Sequence, residues 1–219
     1  MACYIRLMHQ GDITQVAEID REAFPAQWPP ANYRHELKNP LARYIIACDA
    51  EKTFDEPKVE VTSEKSRPRL MSKVRQLFNR NRSFSNETLP STKEYIVGLA
   101  GFWIMAGEAH ITTIAVRLSY QRRGIGEQLL ISLIELAKEL DASTLTLEVR
   151  TSNVAAQSLY SKYGFTQVGL RRGYYSDNRE DAILMSTEDI TSASFQAHFQ
   201  QLKQAHSRRW ETAHYQVAR

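Results

Sequence analysis

Between His110 and Leu140 the chain reads as a strand, a basic glycine-bearing turn and a long helix, and this unit constrains the fold more than any other stretch. HITTIAV (110–116) has the residue types and alternation of a strand. QRRGIG (Gln121 to Gly126) follows, with two arginines and two glycines. Ile125, Leu129, Leu130, Leu133, Ile134, Ala137 and Leu140 then mark one face of a helix. A strand feeding so apolar a helix needs a sheet for that helix to cover. Glycines let the backbone approach a ligand closely, and N–H groups at a helix start favour a phosphate or pyrophosphate. A GxG at a helix start can equally be a tight turn. It is neither a GKS/GKT phosphate loop nor a GxGxxG dinucleotide fingerprint.

The surrounding pattern supplies the sheet. Tyr4, Ile5 and Leu7 open a strand, and Asp12 can cap a helix carrying Ile13, Val16, Ala17, Ile19 and Ala23. FPAQWPP (24–30) breaks that helix, because proline lacks the donor N–H and restrains its predecessor. A short helix over 31–38 and the strand ARYIIACD follow. EYIVGLAGFWIM reads as a strand and GEA as a turn. After the long helix come TLTLEV as a strand, NVAAQSLYSKYGF as a helix ended by Gly164, then TQVGL and DAILMS as strands. The order predicts an α/β domain with a mixed sheet that has helices on its faces. From about Ile190 a polar helical extension (191–219) carries Phe195, Phe199 and Leu202 on one side, and nothing in it suggests chemistry.

Residues 49–93 interrupt this order. They are polar and rich in Ser, Lys and Arg, which predicts a solvent-exposed, flexible insertion within a domain spanning 1–190. Residues 65–82 hold seven Lys or Arg and no acid, although the whole chain is only +3, so the remainder is net acidic. Leu70, Met71, Val74, Leu77 and Phe78 would line one face of a basic helix there. That stretch is either a solvated arm or a contact for RNA or an anionic surface. The longest uncharged apolar run, 95–107, is 13 residues with two interior glycines, too short to span a bilayer. The opening MACYIRLMHQGD lacks signal-peptide order, and Cys3 and Cys48 form no C-x-x-C pair, so a reducing cytoplasmic location is expected. The six histidines form no HExxH motif and no pairing with the cysteines, so no metal site is expected; His110, near a strand start, reads as a surface or turn residue.

The turn resembles the acetyl-CoA loop Q/R-x-x-G-x-G/A of the GNAT (acyl-CoA N-acyltransferase) superfamily. TLTLEVRTSNVAAQSLYSKYGFTQVGLRRGYYSDNREDAILM (144–185) is similar to the C-terminal half of the ribosomal-protein-alanine N-acetyltransferases of the RimI type. LEVR-x-SN-x-A-A-x-x-LY-x-x-x-GF and RR-x-YY…EDA carry that second likeness. The resemblance covers about 1–48 and 94–190. It implies the GNAT fold, a mixed, mostly antiparallel sheet flanked by helices, acetyl-CoA as co-substrate without a metal, and as acceptor a protein N-terminus, that of the N-terminal alanine of a small-subunit ribosomal protein.

Acetyl transfer to an amine needs a neutral amine, a stabilised oxyanion and a proton for the departing thiolate. An α-amino group titrates near 7.7–8.0, so a nearby carboxylate base helps at neutral pH. The resemblance makes Glu148 that base and Tyr160 the acid; on their own, the two would read as a surface carboxylate and a core tyrosine. It further implies that Gln121, Arg122, Arg123, Gly124, Ile125 and Gly126 hold the pyrophosphate. Ile114, Ala115 and Val116 would offer backbone groups to the pantetheine, with the Val116 N–H toward the thioester oxygen. Asn153 would bond the pantetheine, cap its helix, or do both. The peptide would lie between the 24–30 loop, with Phe24 and Pro25, and the 171–177 loop, with Tyr174 and Tyr175. Trp28 comes later in its loop than the family pattern has it. Two other readings stay open: a GNAT enzyme acting on a lysine side chain or small amine, and an RNA- or ribosome-tethering module with vestigial activity.

Overall fold

The computed structural model describes residues 3–25, 31–54 and 94–210, together with the backbone of Ala213–Ala218. The expected basic helix within 65–82, and Trp28, lie outside the described residues. The described strands are β1 (Cys3–Leu7), β2 (Ala42–Thr53), β3 (Glu94–Met105), β4 (Glu108–Val116), β5 (Thr144–Arg150), β6 (Thr166–Arg171), β7 (Ala182–Ser186) and β8 (Ala213–Ala218). They form one sheet in the order β6-β7-β5-β4-β3-β2-β1-β8. The pairs β4/β5 and β1/β8 are parallel and the others antiparallel. Helices α1 (Ile13–Ala23), α2 (Tyr33–Glu36), α3 (Ile125–Glu139), α4 (Val154–Lys162) and α5 (Ala193–Arg209) cover it. Beyond the expected C-terminal helix, the chain adds the edge strand β8, which a helical reading of 191–219 misses.

Two apolar clusters sit on opposite faces of the sheet. Leu129, Leu130, Leu133 and Ile134 of α3 are fully buried against Val97, Phe102, Leu145 and Leu147. Each such side chain contributes roughly 1.5–3 kcal/mol. On the other face, Val16 and Ile19 of α1 and Tyr33 of α2 pack with Tyr44, Ile46 and Leu99. The Tyr44 ring lies so close to the sheet that a Cβ at position 101 would come within 2.3 Å of it, so only glycine fits there. Cys3 belongs to the first cluster and Cys48 to the second, both as free thiols pushed up to about 12 by burial.

Asp12 does not cap α1 as expected. Its fully buried carboxylate instead takes two hydrogen bonds from Arg6, at 2.8 and 2.9 Å, and one from the His9 N–H at 2.8 Å. A buried carboxylate needs such a partner more than a helix start needs a cap. The 54–93 segment leaves and rejoins the β2–β3 hairpin at residues that are themselves ladder partners, Thr53 and Glu94. The ladder is irregular between Asp49 and Thr53, and residues 49–53, expected within the insertion, belong to β2.

Helix α5 lies against α3 and the end of α4. Phe195 stacks on Phe199 with ring centres 6.2 Å apart, and Phe199 meets the edge of Tyr163 at 6.3 Å. Lys138 donates to Gln196 at 2.7 Å, and Lys203 pairs with Glu135.

Candidate active site

The parallel ladder between β4 and β5 runs only from Glu108/Thr144 to Ile111/Leu147. At that point β4 carries a bulge: Gly101 of β3 faces Thr113 and Phe102 faces Ile111, leaving Thr112 unmatched. A bulge bends and twists its strand, and β4 parts from β5 there. Among the described residues, no strand therefore pairs with the edge of Thr112–Val116 turned away from β3. Ile114, Ala115 and Val116 lie on this segment, held on the other side by Ala100, Leu99 and Gly98.

Glu148 is the first residue of β5 past the last rung. The strand alternates Leu145, Leu147 and Val149 into the α3 cluster, which turns Thr146, Glu148 and Arg150 to the opposite face. The Glu148 side chain is only 7% exposed, with one oxygen 3.0 Å from His110 Nε2 and the other 2.9 Å from Arg171 Nη2. Neither partner stands out in the sequence. His110 reads as a surface or turn residue until the register puts it beside Thr146, and Arg171 reaches Glu148 from β6, across β7. His110 Nδ1 lies 2.9 Å from Thr146 Oγ1, and that hydroxyl donates to Glu108 at 2.7 Å. A chain of polar groups thus runs from Glu148 to the exposed end of β4.

Tyr174 and Tyr175 gather on the same side. Their rings meet edge to face at 5.2 Å; the Arg171 guanidinium lies 5.5 Å from Tyr174 and that of Arg150 3.8 Å from Tyr175. Burial, with the negative charge of Glu148 adding, raises the Tyr174 phenol. Burial pushes Tyr175 up to about 12, opposed by Arg150 and reinforced by Tyr174 and Glu148. The loop is fastened from below: Arg150 donates twice to Asp177, at 3.0 Å each, and once to Glu180 at 3.1 Å. Glu180 also accepts from the Ser152 N–H at 2.7 Å, and hydrogen bonds from Ser152 and then Arg150 hold its carboxyl down at about 2. Arg150, Asp177 and Glu180 all fall inside the motif stretch, yet nothing in their spacing alone tells that they clamp the tyrosines.

Tyr160 sits on α4, its ring 5.8 Å from Phe165. Burial pushes its phenol up to about 12, with Tyr175 adding. Tyr175 therefore stands within electrostatic reach of both Glu148 and Tyr160, which come from different elements. Phe24 closes α1 and packs on the second cluster, with Pro25 exposed beside it. α1 is tied to the far end of β4 by Arg117, which bonds Glu22 at 2.9 Å and Glu18 at 2.8 Å.

The turn before α3 is built from unusual backbone. Gly124 takes the N-cap position at φ 80° and Arg122 sits at φ 62°. Among the described residues no side chain caps α3, whose first internal bond is Gln128 N–H to Gly124 O at 2.9 Å. The preceding N–H groups point out of the helix start with the dipole behind them. Gln121 returns to the strand through Nε2 to Val116 O at 3.3 Å, and Arg123 lies 5.0 Å over the Tyr120 ring. Among the described residues, a Cβ on Gly126 would meet Val116 Cγ2 alone, at 3.8 Å, so none of them requires glycine there. The space left open at Gly126, beside an uncapped helix start, fits a bound pyrophosphate. Gly124 differs: its Cβ would strike the Trp210 indole at 2.4 Å. Asn153 caps α4, accepting from Ala156 N–H at 3.1 Å. Among the described residues no group of three His, Cys, Asp or Glu is arranged to hold a metal ion, and no helix is long and apolar enough to cross a membrane.

The model of the acetyltransferase (GNAT) family matches residues 51–165. The chain is 34% identical over 182 residues to the putative [ribosomal protein bS18]-alanine N-acetyltransferase of Bacillus subtilis, covering 83% of this chain and 92% of that protein. Among solved structures, it is similar to the ribosomal-protein-S18-alanine N-acetyltransferase from Escherichia coli, with a TM-score of 0.58, 23% identity, and coverage of 87% of this chain and 96% of that one. It shares its fold, too, with a GNAT family acetyltransferase from Elizabethkingia anophelis with acetyl-CoA bound, at a TM-score of 0.54 and 20% identity over 85% of this chain and 98% of that one. With the splayed strands, the uncapped glycine turn and these matches together, the chain belongs to the GNAT acetyltransferase family and is an acetyl-CoA-dependent N-acetyltransferase.

Proposed function

We propose that the acceptor is the α-amine of a protein N-terminus, an N-terminal alanine of a small-subunit ribosomal protein. The observation that carries this is the buried Glu148 carboxylate at the fork of β4 and β5, with Tyr174 and Tyr175 beside it. An ammonium entering this fork meets the Glu148 carboxylate and two phenols, and would take the place of the half-exposed Arg171 guanidinium as the partner of Glu148. The bS18-alanine acetyltransferase relative from Bacillus subtilis supports the choice of substrate. A ribosomal acceptor would place the enzyme in the cytoplasm.

Acetyl-CoA supplies the activated acyl group. The N–H groups of Arg122 to Gly126 and the two arginines would hold its pyrophosphate, and the free edge of Ile114–Val116, with Asn153, its pantetheine. Glu148 takes the proton from the α-ammonium, which titrates near 7.7–8.0 and is mostly charged at neutral pH. His110, Thr146 and Glu108 give that proton a route to the surface. Tyr160, pushed up to about 12, keeps its proton across the working range. Against a thiol reference near 8.5, complete transfer from so weak an acid is uphill, so Tyr160 acts chiefly by donating a hydrogen bond to the departing sulfur. Phe24 and Pro25 on one side and Tyr174 and Tyr175 on the other would border the peptide.

The test is a pair of alanine-starting peptides containing an internal lysine, one with a free and one with a blocked N-terminus, located by mass spectrometry after incubation with acetyl-CoA. The expected product is α-acetylation of the free peptide alone. Turnover of the blocked peptide would move the assignment to a lysine acceptor. No turnover with any amine, alongside RNA binding through the basic insertion, would favour a tethering module.

A further inference from the structure

Helix α5 has no part in the chemistry described so far, yet its end closes on the glycine turn. His206, 3% exposed, places Nε2 3.0 Å from the carbonyl of Gly124. A carbonyl can only accept, so Nε2 carries the proton and donates. Burial lowers the histidine's pKa, opposed by its hydrogen bond to Gly124. One helical turn on, Trp210 lies against the α-carbon of Gly124, closely enough that any Cβ would strike it. The turn it supports holds two residues in the left-handed region, and one of them, Arg122, is not a glycine. Such backbone persists where surrounding structure over-determines it. The rest of α5 is anchored elsewhere, through Gln196 to Lys138 and through Phe199 to Tyr163. It therefore spans from the far end of α3 to its start.

We propose that α5 is a strut for the cofactor turn: His206 and Trp210 are positioning residues that hold Gly124 in its left-handed conformation and so set acetyl-CoA affinity without touching the reacting atoms. This rests on the reading that Gln121–Gly126 cradles the pyrophosphate. A net hydrogen bond is worth about 0.5–1.5 kcal/mol, which corresponds to about 2- to 13-fold in an equilibrium constant.

The experiment measures acetyl-CoA Kd by calorimetry, and KM and kcat at saturating peptide, on full-length variants shown to be folded by circular dichroism. His206→Ala should raise Kd and KM for acetyl-CoA about 2- to 13-fold and leave kcat at saturating acetyl-CoA within about two-fold. His206→Gln, whose amide can donate to the same carbonyl, should recover most of the loss, and Trp210→Ala should weaken binding in the same direction. If His206→Ala does not fold, Trp210→Ala and His206→Gln decide the matter. Gly126→Val separates the two readings, because its side chain enters the turn without meeting Trp210. Wild-type acetyl-CoA affinity in Gly126→Val would overturn the cradle itself. Lost affinity in Gly126→Val beside wild-type affinity in folded His206→Ala and Trp210→Ala would overturn the strut alone, as would a fall in kcat at unchanged KM.

Discussion

The two faces of β5 do different work within seven residues. Leu145, Leu147 and Val149 point into a closed apolar cluster under α3, where each contact is dispersion and water exclusion. Thr146, Glu148 and Arg150 point the other way, into hydrogen bonds and ion pairs with His110, Arg171, Asp177 and Glu180. The apolar face fixes where the strand lies; the polar face uses that position. Stability and turnover should therefore separate by residue parity along this strand.

Substitutions at neighbouring positions can break that separation. Glu148→Gln keeps the shape and removes the base, so turnover should fall roughly 10²–10⁴-fold while acetyl-CoA affinity and melting temperature hold. Leu147→Ala should do the reverse: about 2–5 kcal/mol of stability lost in denaturant unfolding, with near-normal kcat for the folded fraction. If both variants lose the same property, the division of β5 fails. Tyr160→Phe should cost about 10²-fold in kcat at saturating substrates, near the lower end for acid–base groups, because a hydrogen bond rather than a full proton transfer is lost. A larger loss, equal to that of Glu148→Gln, would make the phenol a true acid.

The smallest effect concerns the clamp below the tyrosines. Glu180 is held at about 2 in the folded chain, below its ordinary value near 4.5. A depressed carboxyl stabilises the fold above its unfolded pKa and loses that contribution as pH falls from about 4.5 toward 2. Glu180→Gln should flatten part of the acid-side drop in melting temperature and modestly raise KM for the peptide. An unchanged acid limb would remove Glu180 from the clamp. The Glu180 side chain lies at the surface, half-buried, so solvent screening keeps the change in melting temperature small.

Much of this architecture was readable from residue order. The α3 stripe, the strand alternation of TLTLEV and the left-handed Gly164 at φ 85° follow directly from periodicity and turn chemistry. Motif likeness pointed to Glu148 and Tyr160. The partners of Glu148 were not readable, because they depend on register: His110 meets Glu148 only through the β4/β5 ladder, and Arg171 only across β7. The role of α5 escaped for a similar reason. Its own pattern is that of a polar helix, and the contact of His206 with Gly124 joins residues 82 apart. Asp12 shows the opposite error, a local capping rule overridden by the ion pair that its buried carboxylate makes with the half-buried Arg6.

The most direct test of Glu148 as the base is the pH dependence of the Glu148→Gln defect. Turnover of an alanine-starting peptide would be compared between wild type and variant at saturating acetyl-CoA from pH 6.5 to 9.5. If Glu148 removes a proton from the ammonium, the defect is largest at low pH and narrows above about 8, where the free amine forms without help. A near-normal variant at pH 7, or a defect that stays constant across the range, would contradict the assignment.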